Sequence, residues 1–189
     1  MDALTALLTR RSVSQLGEPG PTPQQLEYVL QAGLRANDHG RLRPWRFLLI
    51  EGEARQRLGQ LFVQVKQQDQ PDFSPEEAAK LAAKALRAPL IITVIARLQQ
   101  AHDKVPVLEQ QLSAAGAAQL MMVAAHAQGL GAVWRTGALA YDRRVCEGLG
   151  LSANEQITGF LYMGTPRIDK SKGDKPTAEL NLKDFVSRW

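Results

Sequence analysis

Pro89-Leu90-Ile91-Ile92-Thr93-Val94-Ile95-Ala96-Arg97 is the stretch from which the rest of the chain is best read. Its β-branched run, Ile91 to Ile95, stiffens χ1 and favours extended backbone. Apolar residues fill both parities instead of every second position, so the predicted strand is covered on both faces and is central. Working back from it, Ser74-Pro75-Glu76-Glu77 starts a helix to about Leu86, with proline and acids where a helix N-terminus favours them. Gln67 to Phe73 reads as a loop after a helix near Glu53 to Lys66. Trp45 to Ile50 is another strand, closed by Glu51-Gly52. Thr22-Pro23-Gln24-Gln25 is a capping box, and Leu26, Val29, Leu30, Gly33 and Leu34 follow at helical spacing to about Ala36. A first helix covers about Asp2 to Thr9, with Leu4, Leu7 and Leu8 on one side.

Working forward, Val107 to Gln128 is a long helix rich in Ala, Leu, Met and Gln, apolar on more than one face and ended by Gly129. Such a helix is buried or lies in a subunit interface, and Ala114-Ala115-Gly116-Ala117-Ala118 would let another backbone come close. Ala132 to Arg135 reads as a short strand, Asp142 to Leu149 as a short helix and Ile157 to Met163 as a last strand. The tail from Arg167 to Trp189 is polar, carries Pro176, and ends in an apolar patch (Phe185, Val186, Trp189) that must dock somewhere. No internal repeat or linker is visible, so residues 1–189 form one layered α/β domain.

A chain of 189 residues can bury a substantial core. No apolar run approaches the roughly 18 residues of a spanning helix, and Met1-Asp2-Ala3 begins no basic-then-apolar signal, so a cytoplasmic location is expected. The single cysteine, Cys146, has no internal disulfide partner and reads as a structural thiol. The net charge of +4 invites nucleic acid as a partner, but the basic residues are dispersed and only 6% of residues are aromatic. An anionic cofactor accounts for the excess at least as well.

Two clusters carry the chemistry. Arg10-Arg11-Ser12 sets two guanidinium groups and a hydroxyl at the end of the first helix. Pro44-Trp45-Arg46-Phe47 follows a loop holding Arg35, His39, Arg41 and Arg43. Guanidinium forks bind phosphate bidentately, and a hydroxyl adds a neutral donor. From spacing alone the triplet reads first as a solvated helix end complementing the macrodipole, and His39 as a loop cap.

In this order the two clusters resemble the FMN-dependent nitroreductase family, and most closely its compact bacterial branch of NAD(P)H nitroreductases; the likeness runs from Asp2 to about Pro166. The resemblance implies a mixed four-to-five-stranded sheet between helices and an intertwined homodimer with flavin at the subunit interface. It implies that Arg10, Arg11 and Ser12 hold the phosphate and ribityl chain of FMN, and that Arg35 and His39 reach the cofactor from the partner subunit. It sets Trp134, Arg135 and Thr136 along the flavin ring, with Arg135 as the cation near N1 and O2 and Trp134 also readable as core packing. Ala124, Ala125, His126, Ala127, Gln128 and Gly129 fall where the nicotinamide nucleotide is received, although a helix C-terminus disfavours pyrophosphate. Two positions depart from the family pattern: Ser14 stands where larger relatives carry a basic residue, and Arg43 where Gln usually precedes Pro-Trp.

Other signals fail. Gly129-Leu130-Gly131 follows a helix and precedes a strand, the reverse of a Rossmann turn. Gly164-Thr165-Pro166 lacks a Walker lysine, and His39, His102 and His126 show no metal-ligand spacing. No acid-base or nucleophilic constellation appears, and flavin chemistry needs none. No catalytic side chain is therefore named. The expected activity is ping-pong transfer of hydride from NADH or NADPH through flavin N5 to nitroaromatic or quinone-type acceptors. The rival is a flavin- or nucleotide-binding protein without catalysis.

Overall fold

The computed structural model describes residues 1–167 and 180–189. Leu90–Arg97 (β3) is internal, as its sequence requires. It pairs with Trp45–Glu51 (β2) on one side and Glu155–Pro166 (β5) on the other. Gly131–Arg135 (β4) and the two-residue Leu16–Gly17 (β1) also pair with β5, giving five strands. The α/β class and strand number match the expectation, but the sheet direction needs correcting. Every pairing among the described residues is antiparallel, not mixed. The cause is that each helical excursion returns the chain to the end of the sheet it left. Glu51 and Leu90 are register partners, and so are Arg97 and Glu155.

Side chains of β3 alternate between two cores. Ile91 and Ile95 join Leu58, Phe62 and Val145 from Glu53–Asp69 (α3) and Arg143–Gly148 (α7). Leu90, Ile92 and Val94 join Val29 of Pro23–Gly33 (α2) and Met121 and Ala125 of Val107–Ala127 (α5). The sheet is thus a middle layer between two helical layers. Burying each large aliphatic of β3 contributes roughly 2 kcal/mol, which makes this strand the anchor of the fold. On the first face the Phe62 and Phe160 rings meet edge to face, 5.7 Å apart. Between Val94 and Ile95 the register slips, and Thr158 of β5 is left as the extra residue of a bulge.

Local chemistry sets the helix ends. The Asp2 carboxylate accepts from Thr5 N–H at the start of Ala3–Thr9 (α1). Both Thr22 with Gln25 and Ser74 with Glu77 form complete capping boxes, the second opening Pro75–Ala82 (α4), which a 3₁₀ turn continues to Leu86. Helix α2 stops at Gly33, earlier than its pattern suggested, where a Cβ would meet Met121 Cε at 2.5 Å. The missing side chain lets α2 pack closely on α5. Helix α5 closes on Gly129 at φ +78°. Near its other end the buried Gln110 amide accepts from Gln99 N–H at 2.8 Å and donates to the carbonyls of Gln99 and Val105, both at 3.0 Å. One side chain so fixes the incoming loop.

The predicted helix over Asp142 to Leu149 is α7, capped by the Asp142 carboxylate, and a four-residue helix that had no signal in the sequence, Ala138–Tyr141 (α6), stands just before it. Leu4, Leu7 and Leu8 of α1 are exposed, and only Ala6 is buried. Phe185, Val186 and Trp189 are also exposed, while Pro176 lies outside the described residues. No helix among the described residues is long and apolar enough to cross a membrane.

Candidate functional site

The segment after α1 is bonded to β4. Val13 N–H donates to the Ala132 carbonyl at 2.8 Å, so Arg10, Arg11 and Ser12 sit beside the start of that strand. The same helix end touches the end of α5, where Thr9 Oγ1 and His126 Nε2 are 2.9 Å apart. Burial first, then the nearby charges of Arg10 and Arg11, hold the His126 imidazole below its ordinary range, so it is neutral at pH 7. The structure therefore brings two expected groups together, the 10–12 triplet and the end of α5 at 124–129, beside the entry to β4. Ser12 is exposed and Arg10 half-buried.

The far end of β4 builds the second part. Trp134 lies against β5 at Gly159, where a Cβ would fall 1.9 Å from the indole Nε1. Glycine is the residue that leaves room for the ring there. Nε1 itself is buried and has no hydrogen-bond partner among the described residues. Arg135 and Thr136 are exposed beyond it, and Gly137 at φ +101° turns the chain into α6. The Arg135 charge reaches Tyr162, where it opposes the upward push that burial gives the phenol. A cavity of about 690 Å³ opens here, bordered by Trp134, Thr136, Thr158, Tyr141, Leu108 and Leu112. That volume is in the range of small-ligand sites, which run from roughly 300 to 1,000 Å³. The distance along β4 from Ala132 to Arg135 is about 10 Å at a strand's rise.

Arg35 and His39 are elsewhere. His39 borders a second cavity of about 480 Å³, together with Asn37, Ser113, Gln119 and Leu112. Within one chain it does not share the cavity of Trp134 and Thr136; Leu112 of α5 borders both. His39 Nδ1 is 2.6 Å from Glu109 Oε2, with both side chains about half exposed. This carboxylate, 70 positions away in sequence, had no local signal that could have announced it. Arg41 and Arg43 have φ of +55° and +48°, in the left-handed region. Asp38 holds that turn: its carboxylate accepts from Leu42 N–H at 3.0 Å and Arg43 N–H at 2.8 Å.

The remaining candidates are structural. His102 Nδ1 accepts from the N–H groups of Lys104 and Val105 in a turn. Cys146 is buried, and burial pushes its thiol up, away from the reactive thiolate. Ser14 is exposed.

The donor set fits a phosphorylated, planar cofactor. Cations and a hydroxyl stand at one end of β4, and a cavity with a flat, half-buried indole stands at the other. Among the described residues, the Arg10, Arg35 and Arg135 side chains make no hydrogen bond or ion pair that would neutralise them.

The model of the nitroreductase family matches residues 7–165. Escherichia coli K12 "Putative NAD(P)H nitroreductase YdjA" is 46% identical over 184 residues, covering 97% of this chain and 96% of that protein. A Haemophilus influenzae relative with the name "Putative NAD(P)H nitroreductase" is 34% identical over 99% of each chain. Among solved structures, a nitroreductase-like family protein from Bacillus cereus superimposes with a TM-score of 0.81 at 24% identity, covering 98% of this chain and 95% of that one. A Bacteroides fragilis nitroreductase with bound FMN gives 0.69 at 18% identity, over 98% and 97% of the two chains.

Proposed function

Because the chain belongs to the nitroreductase family, we propose that it is an FMN-dependent oxidoreductase that couples NADH or NADPH to nitroaromatic or quinone-type acceptors as a homodimer. Bound FMN would supply the hydride relay that no side chain of the protein can supply. The observation that carries this reading is the bond from Val13 to Ala132, which sets the cationic triplet at one end of a strand whose other end opens into a cavity.

In this reading Arg10, Arg11 and Ser12 grip the phosphate with two forks and a hydroxyl. Arg135 offers a fixed cation toward the ring edge on which charge develops, and Trp134 and Gly159 hold the strand end flat against the sheet. Neutral His126 leaves the end of α5 without an added charge, and the neighbouring arginines counter its dipole, so the segment 124–129 is acceptable to a nicotinamide nucleotide. Arg35 and His39 serve a second copy of the chain. Two facts support this: His39 borders a separate cavity, and Leu4, Leu7, Leu8, Leu108 and Leu112 leave apolar surface uncovered in one chain.

An absorption spectrum of the purified protein, before and after anaerobic NADPH and then NADH, tests the reading. Flavin bands that bleach support it. A flavin that stays oxidised favours a binding protein, and a colourless protein that FMN cannot reconstitute overturns the proposal. Sedimentation at micromolar concentration should give twice the 20.8 kDa chain mass.

A further inference from the structure

Between α2 and β2 the chain concentrates positive charge without neutralising it. Arg35, Arg41 and Arg43 are all exposed, and among the described residues none of their side chains makes a hydrogen bond or ion pair. Two carboxylates lie close, and both are engaged. Asp38 accepts from the backbone N–H groups of Leu42 and Arg43, and Glu109 holds His39. Arg41 and Arg43 moreover stand at φ +55° and +48°, where a long side chain is strained and glycine or asparagine is not. Backbone geometry alone would favour those residues, so what arginine supplies at each position is its side chain. The cavity that His39 borders is lined by Asn37, Ser113 and Gln119 and by the His39–Glu109 pair, so among the described residues its own lining holds no unpaired cation to balance a ligand's charge.

We propose that Arg41 and Arg43 form an anion subsite, selecting reactants that carry a charged oxygen group in addition to the reacting ring. The proposal rests on the flavin reading above, because it concerns which molecules reach that cofactor. One chemistry has two sources here: a carboxylate on an aromatic acceptor, or the 2′-phosphate that separates NADPH from NADH. A guanidinium fork recognises either.

The test uses the FMN-loaded protein and the double variant R41N/R43N, since asparagine tolerates the left-handed backbone; R41K/R43K retains the charge. The first pair of probes is 4-nitrobenzoate and 4-nitrobenzyl alcohol with NADH, and the second is NADPH and NADH with the neutral acceptor. Wild type should favour the anionic member of one pair. In R41N/R43N its kcat/KM should fall about tenfold, with the neutral member changed less than about twofold, and the lysine variant should keep most of the preference. Raising salt from about 0.05 to about 0.5 M should erode the preference of wild type and leave the asparagine variant unaffected. Binding gives a readout without turnover: the Kd of NADP+ relative to NAD+, or of 4-nitrobenzoate relative to the alcohol, should move by the same factor. An effect confined to the acceptor pair assigns the carboxylate, and one confined to the dinucleotides assigns the 2′-phosphate. Unchanged ratios in both pairs, or an equal fall for neutral and anionic members, overturn the subsite while a bleachable flavin leaves the parent reading standing. Protein that takes up no FMN removes both.

Discussion

Arg10-Arg11-Ser12 and the loop from Arg35 to Arg43 carry similar charge, but the fold holds them by different means. The first follows a capped helix and is bonded to β4, a strand whose flanks are β5 and the Met121 core. The second hangs between α2 and β2 chiefly on the Asp38 carboxylate, with only the half-exposed His39–Glu109 pair reaching α5, and Arg41 and Arg43 sit in strained backbone. A cofactor that stays bound through many turnovers suits the rigid element, whereas discrimination among changing reactants suits the loop.

The largest expected effect tests what fixes the loop's downstream end. Arg46, directly after Trp45, makes a bidentate pair with buried Glu155 at 2.7 and 2.8 Å. Glu155→Ala leaves a guanidinium without its partner and should cost about 3 kcal/mol in urea unfolding; a loss below about 1 kcal/mol would show that the clamp does not secure β2. Arg46 first, with Ser152 N–H and Arg97 helping against burial, draws the Glu155 carboxyl down from its ordinary 4.5 to about 2. Its folded pKa lies below its unfolded one, so its stabilisation is full above about pH 4.5 and disappears as pH falls through about 2. Glu155→Gln should therefore flatten the acid limb of the stability profile across that window.

Next in size, Arg10→Ala or Ser12→Ala should weaken FMN binding by roughly tenfold to a hundredfold with the unfolding midpoint of the flavin-free protein unchanged. Full flavin occupancy in both variants would remove the triplet from the site. Asp38→Ala should cost about 1 kcal/mol locally and speed amide exchange at Leu42 and Arg43, without touching exchange in β4. If β4 loosens as well, the two regions are not independent. The smallest effect belongs to Glu109→Gln: the pair with His39 is half exposed, so global stability should shift by less than about 1 kcal/mol. A larger loss by thermal unfolding would mean that the loop is held from α5 too.

What was legible in the sequence followed the range of the interactions. The capping boxes at Thr22 and Ser74, the glycine end of α5 and the double-sided burial of β3 are set within a few residues, and they were readable. The last strand was expected over Ile157 to Met163 but spans Glu155–Pro166, because Arg97 pairs with one extension and Leu16 with the other. Leu16–Gly17 has no strand pattern of its own; pairing with β5 makes it one. The 10–12 triplet and the strand end at Trp134 were visible as residue types, and their link through Val13 and Ala132 was not. Glu109 and the Gly159 seat of Trp134 depend on neighbours distant in sequence, and no periodicity reports them.

Leu112, exposed on α5 and bordering both cavities, is a wall shared by two rooms. A substitution there cannot enlarge one room alone: a smaller side chain widens both, and a bulkier one crowds both. Any change of ligand size reached through that position must suit two half-sites at once, so α5 ties the repertoire of one to that of the other.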